Sequence, residues 1–169
     1  MSVRRSKRFL VSAVAIGAVM ATGMSAPATA EKGPGGLELG AMAGVPVTFT
    51  SAAVPMRDLL PGGLPWVIGP AKAEVKASGK VEVKFRDLLF APGTGPAGTN
   101  TIPVMKVVVS CVTDGGDVVN VSTPTFPVTT GVGAGDGSVE TTVALPETCL
   151  APLVFVTTTT NRWLAVGAL

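Results

Sequence analysis

Between residues 71 and 85 apolar and polar side chains alternate one for one. Ala71, Ala73 and Val75 alternate with Lys72, Glu74 and Lys76; past Ala77-Ser78-Gly79, Val81, Val83 and Phe85 alternate with Lys80, Glu82 and Lys84. This period of two predicts a pair of strands with one buried face. Parity then selects the loop. A two-residue turn at Ser78-Gly79 would pair Lys76 with Val81 and mix the faces. A three-residue loop pairs Val75 with Val81 and Ala73 with Val83, and keeps one side apolar. Gly79 takes the left-handed position that such a loop and its bulge require. The arrangement sets like charges opposite one another, as at Glu74 and Glu82, and diagonal neighbours such as Glu74 and Lys80 offset part of that cost.

Further strands follow at short spacing. The stretch 102–112 places Met105, Val107, Val109 and Cys111 on one face and Val108 and Val112 on the other, as in a central strand covered on both sides. Asp114-Gly115-Gly116-Asp117 is a turn into a strand at 118–123. Pro124 and Pro127 bracket a short edge-like piece, because proline cannot donate to a ladder. Residues 131–137 read as a loose loop. The stretch 138–145 turns Val139, Thr141, Val143 and Leu145 inward. Strands at 149–157 and 163–169 flank a turn at 158–162. About seven strands joined by tight turns predict an all-β chain with an immunoglobulin-like β-sandwich, and a small Greek-key barrel is the alternative. No Trp lies between the cysteines, and the chain has no Tyr for a tyrosine corner. The 71–169 domain is preceded by a Gly/Pro-rich apolar segment, 31–70, in which only 45–50 reads as a strand.

Residues 1–30 have a different pattern. Arg4, Arg5, Lys7 and Arg8 precede an apolar run from Phe9 to Met20, and small residues then lead to Ala28-Thr29-Ala30. This is the plan of a secretory signal peptide cleaved after Ala30. The run is about a dozen residues, short of the ~20 needed to span a bilayer. The expectation is a secreted, extracellular protein with no retained membrane anchor. Cleavage removes four of the 13 basic residues and none of the 11 acidic ones, leaving nine against 11. A chain so balanced offers no basic stripe for nucleic acid. Lys72, Lys76, Lys80, Lys84 and Arg86, interleaved with Glu74, Glu82 and Asp87, read as a solvated sheet face.

The remaining candidate chemistry is sparse. The chain has no His, which removes Ser-His-Asp and Cys-His machinery and histidine metal ligands. Cys111 and Cys149 are the only cysteines, and an exported chain with two normally pairs them. Both sit on inward faces of predicted strands, so the bridge is expected to cross the core. Leu145-Pro146-Glu147-Thr148-Cys149 resembles a cell-wall sorting motif, but lacks its glycine, its membrane-spanning tail and its basic end. The glycines of 131–137 precede a strand pattern instead of the helix that phosphate binding needs. Asp114, Asp117 and Asp136 could meet at one end of a sandwich around Ca²⁺, although turn-forming aspartates explain the same residues. Asn120-Val121-Ser122 is a glycosylation sequon placed on a strand. The stretch 59–68 is apolar but rich in turn-formers. It either packs over the open end of the core or forms an exposed loop whose Leu59, Leu60, Leu64 and Trp66 meet a partner.

Ser110-Cys111-Val112, the run from Leu145 to Pro152 and the closing Trp163-Leu164-Ala165-Val166 are shared features. On them, residues 79–169 resemble a group of small exported single-disulfide β proteins of unassigned activity. That resemblance implies an exported β fold and no particular activity. The function expected is a secreted, non-enzymatic binding or structural module with no catalytic centre, cofactor or metal, acting on an extracellular protein or surface. A small inhibitor of secreted hydrolases is the alternative, presenting loop 92–100 or 131–137, and a hydrolase is third. The intact mass of the secreted product is expected to begin at Glu31 and to take up alkylating reagent only after reduction. A mass that retains residues 1–30 would contradict the export reading.

Overall fold

The computed structural model describes residues 36–169; the signal peptide expected at 1–30 lies outside the described residues. In chain order the elements are β1 (Leu37–Leu39), β2 (Ala43–Gly44), α1 (Val47–Ala52), β3 (Trp66–Val67), β4 (Ala71–Val75), β5 (Lys80–Phe85), β6 (Leu89–Phe90) and β7 (Thr99–Asn100). They continue with β8 (Val104–Val112), β9 (Val118–Ser122), β10 (Phe126–Pro127), β11 (Gly131–Val132), β12 (Gly137–Thr142), β13 (Leu150–Thr158) and β14 (Trp163–Ala168).

The β4–β5 hairpin takes the register that parity demands: Val75 faces Val81, Ala73 faces Val83 and Glu74 faces Glu82. Gly79, at φ 85°, closes the three-residue loop. A side chain there would also run into the carbonyl of Val143. This hairpin is the middle of an antiparallel sheet ordered β1-β4-β5-β12. The second sheet runs β10-β8-β13-β14-β2, with β9 also on the β10 edge of β8. β9 and β10 are two halves of one edge strand broken around Pro124. At the break the Thr123 amide donates to the Val107 carbonyl, and the Thr123 hydroxyl accepts from the Val107 amide.

The chain crosses between sheets from β5 to β8, returns for β12 and crosses again to β13. β12 therefore lies beside β5, and β13 beside β8. This interlock is a Greek key built from two separate sheets, and no closed barrel forms. Phe85 of the first sheet meets Phe126 of the second edge to face, with ring centroids 6.3 Å apart. Between the sheets Ala73, Val81, Val83, Val107, Val109, Val154 and Val156 are all buried.

The second sheet is covered on its other face as well. Val107, Val108 and Val109 are buried in succession on β8, and so are Val154, Phe155 and Val156 on β13. Alternation sends Val108 and Phe155 away from the first sheet. Phe155 packs against Trp163 (6.1 Å between centroids), and Trp163 against Phe49 of α1 (5.5 Å). The backbone of 60–62 is tied to β14, with the Gly62 amide donating to the Trp163 carbonyl and the Trp163 amide to that of Leu60. Residues 45–66 thus form a third layer over β8, β13 and β14.

Four expectations need correction, the last of them concerning the disulfide. Residues 45–50 are not a strand: Pro46 starts the short helix α1. The spacing of four between Val45 and Phe49 puts both against the second sheet, and tertiary packing outweighs the β preference of Val47, Thr48 and Thr50. The division at residue 70 is not a structural one, since β1 pairs with β4 and β2 with β14. Residues 131–137 are pinned, not loose. β11 pairs with β7, and the Leu88 amide donates to the Gly135 carbonyl.

Cys111 and Cys149 are bonded, with Cα atoms 4.7 Å apart. The bridge does not cross the core between the sheets. Leu150 faces Val112, so Cys149 enters β13 beside its own neighbour strand, at a bulge where Ala151 has φ 42°. The bridge spans 38 positions, and closing a loop of that length is worth about 4 kcal/mol in the chain-entropy treatment. The double variant C111A/C149A is expected to lose about that much stability in urea unfolding monitored by tryptophan fluorescence. An unchanged midpoint would contradict this.

Candidate binding surfaces

Between Leu39 and Ala71 the only charged residues are Arg57 and Asp58. Both have positive φ, 51° and 64°, and they form the two central positions of a tight turn closed by paired bonds between Met56 and Leu59. Two non-glycine residues in the left-handed region need outside support. Arg57 provides it: Nη2 donates to the Ala151 carbonyl at 3.0 Å, and its own carbonyl accepts from Asn120 Nδ2 at 2.7 Å. Asn120, read from sequence as a sequon residue, is therefore a clasp that holds the cover to β9.

The remainder of the cover is uncharged. Of the four residues singled out there, Leu59 and Trp66 are buried at 5% and 3% exposure, whereas Leu60 and Leu64 are 42% and 40% exposed. Trp66 stacks on Phe90 across the β3–β6 ribbon, with centroids 4.0 Å apart. Val47, Val54 and Val67 are also exposed on this layer. An open groove of about 430 Å³ runs between β2 and β3, lined by Val45, Pro46, Val47, Pro65, Trp66 and Val67 among others. Sequence reading missed Val47, because a six-residue helix with no buried residue has no periodicity to detect, and it missed Val54, which follows that helix.

The acidic turns do not converge. Asp136 Oδ1 accepts from the Asp87 amide just past β5, near the Met105 end of β8. Asp114 accepts from the Thr148 hydroxyl at 2.9 Å, at the far end of β8 beside the disulfide. Among the described residues no group of three or more potential ligands is assembled.

The outer face of the first sheet is the opposite of the cover. Register aligns Glu38 with Glu74, Glu74 with Glu82, and Glu82 with Glu140, giving a row of four glutamates straight across four strands. Lys72 faces Lys84 on one side of that row, and Lys76 lies beside Lys80 on the other. The face is banded, positive, negative, positive, and it carries four of the five lysines among the described residues. Since like charges lie directly opposite, the lysines reach between rows: Lys76 to Glu74 (3.1 Å), Lys84 to Glu82 (2.8 Å) and Lys80 to Glu140 (2.6 Å). The diagonal Glu74–Lys80 pair expected from sequence gives way to partners along the same strand and on β12.

Comparison with family models, with curated proteins and with solved structures finds no match. The chain's own surfaces therefore carry the functional argument.

The bands also set titration. The hydrogen bond and charge of Lys84 hold the Glu82 carboxyl below its ordinary range. The hydrogen bond and charge of Glu82 raise Lys84, and those of Glu140 raise Lys80. A depressed carboxyl stabilises the fold above its unfolded range, and that contribution is lost as pH falls through the folded value. A raised lysine stabilises the fold below its unfolded range and loses that contribution as pH climbs through the folded value. Both contributions are small at this exposure. Lys84→Met is expected to move the Glu82 titration upward, read by carboxyl-carbon NMR; an unmoved curve would show that the pair does not persist in solution.

Proposed function

We propose that the protein is exported and acts outside the cytosol as a non-enzymatic binding module whose contact face is the apolar cover of residues 42–68. One observation carries the reading. A layer with charge only at the Arg57-Asp58 turn leaves Val47, Val54, Leu60, Leu64 and Val67 open to solvent beside an apolar groove. Exposed apolar side chains gathered on one layer, rather than scattered singly, mark interaction sites. The Cys111–Cys149 bridge suits an oxidising compartment, and the Ala28-Thr29-Ala30 pattern supplies the route. A partner would meet Leu60 and Leu64; Leu59 and Trp66 are committed to the core.

The inhibitor reading has its own support. β7 and β11 pair, and the Gly133 amide donates to the Gly98 carbonyl, so loops 92–100 and 131–137 brace each other. Val132 stands 87% exposed on that ribbon, a single apolar side chain on a fixed support. Preorganised presentation of this kind is what an enzyme cleft accepts.

A pull-down from native culture medium tests both. A partner held by the binding face is expected to be retained by Lys72→Ala and lost with L60E/L64E. Retention by L60E/L64E would overturn the assignment of the face, and turnover of any substrate would overturn the non-enzymatic reading. Inhibition of a secreted hydrolase that Val132→Asp abolishes would favour the second reading.

A further inference from the structure

The banded face of the first sheet is self-complementary. In an antiparallel sheet, opposite charges facing across strands are favourable, and like charges directly opposite are destabilising. Here three successive rows carry like charges across strand pairs, with Lys76 beside Lys80, the four glutamates in line, and Lys72 opposite Lys84. Shifting the hairpin by two residues would set Glu74 against Lys80 or Lys84, so the three-residue loop at Gly79, and not charge, holds the register that lines up like charges. A second face bearing the same bands, displaced by one row, sets the two central glutamates, Glu74 and Glu82, against lysine and the outer two, Glu38 and Glu140, against neutral positions.

The symmetry operator follows from the rows. A two-fold axis along the strands lays glutamate on glutamate. A two-fold axis parallel to the rows, between the glutamate row and the Lys76/Lys80 row, lays Glu74 over Lys76 of a second copy and Glu82 over Lys80, with the two reciprocal pairs completing an isologous contact. In this register Lys72 and Lys84 face the neutral loop Ala77-Ser78-Gly79 of the other copy, so no like charges meet. Placing the axis on the other side of the glutamate row would instead bring Lys76 and Lys80 toward Arg86.

We propose that the outer face of the first sheet docks on the same face of a second copy of this chain, with the bands offset by one row. Strands ~4.8 Å apart and residues rising ~3.4 Å give the banded area as roughly 300 Å² per copy, well under the ~800 Å² of a standard stable interface. The contact is accordingly weak and electrostatic, and it operates where the protein is concentrated or held in an array. It is independent of the apolar cover on the other side of the sandwich.

Sedimentation equilibrium of the purified protein tests this at about 10 mM and about 1 M salt, where the screening length falls from about 30 Å to about 3 Å. Dimer is expected at low salt and monomer at high salt. Each of K76E/K80E and E74K/E82K should weaken self-association about tenfold or more, whereas an equimolar mixture of the two variants should associate. K72E/K84E should leave dimerisation unchanged, which separates this register from the neighbouring one. Circular dichroism of each variant reports retention of the fold, and the salt response of the unsubstituted protein needs no variant. A monomer at low salt, a dimer indifferent to salt, or a dimer lost only with K72E/K84E would overturn the proposal.

Discussion

The structure depends on burying both faces of the β8–β13 pair. Val107-Val108-Val109 and Val154-Phe155-Val156 are unbroken apolar runs, so neither strand has a side it can give to water. A two-layer sandwich satisfies only one of those sides. The other creates a demand that residues 45–66 meet. Trp163 joins the two requirements, touching Phe155 beneath it and Phe49 above while its backbone holds residues 60–62. The disulfide is anchored on the same pair of strands. Its Cys111 is fully buried on the central strand, and its Cys149 fixes where β13 begins.

Where local pattern and global packing ask for the same thing, the fold was readable from the chain. The β4–β5 hairpin is such a case: one buried face, one wet face and a glycine at the single position with positive φ left one register available. The two-sided character of β8 was readable as well, from Val108 falling out of step with Met105, Val107 and Val109. The cover was not. Its residues are apolar at nearly every position and hold no period, so only the face they cover defines their conformation. The region 45–50 misled for the same reason, since Val, Thr and Phe favour strands until a tryptophan on another element selects Phe49. For the disulfide, the cysteines identify the bond, but which strands lie side by side is a property of the Greek key. Within the binding surfaces, Leu60 and Leu64 stood out in the sequence. The glutamate row did not, because it takes four strands in register to align Glu38, Glu74, Glu82 and Glu140.

The sandwich is electrically lopsided. Among the described residues four of the five lysines and four of the five glutamates lie on the outside of the first sheet, and none lies on the layer 45–66 that covers the second. The two outer surfaces therefore respond to different solvents: dissolved salt weakens contacts on the banded side and strengthens burial on the apolar side.

β2 is among the first strands in the chain and β14 is the last, yet they lie side by side, with Ala43 opposite Val166 and Gly44 opposite Ala165. A ribosome delivers β2 well before β14. The second sheet thus cannot be completed on a partial chain, and the Val45–Phe49 region has nowhere to settle until Trp163 has emerged. Such long-range closure slows folding and leaves the unfinished polypeptide exposed to aggregation.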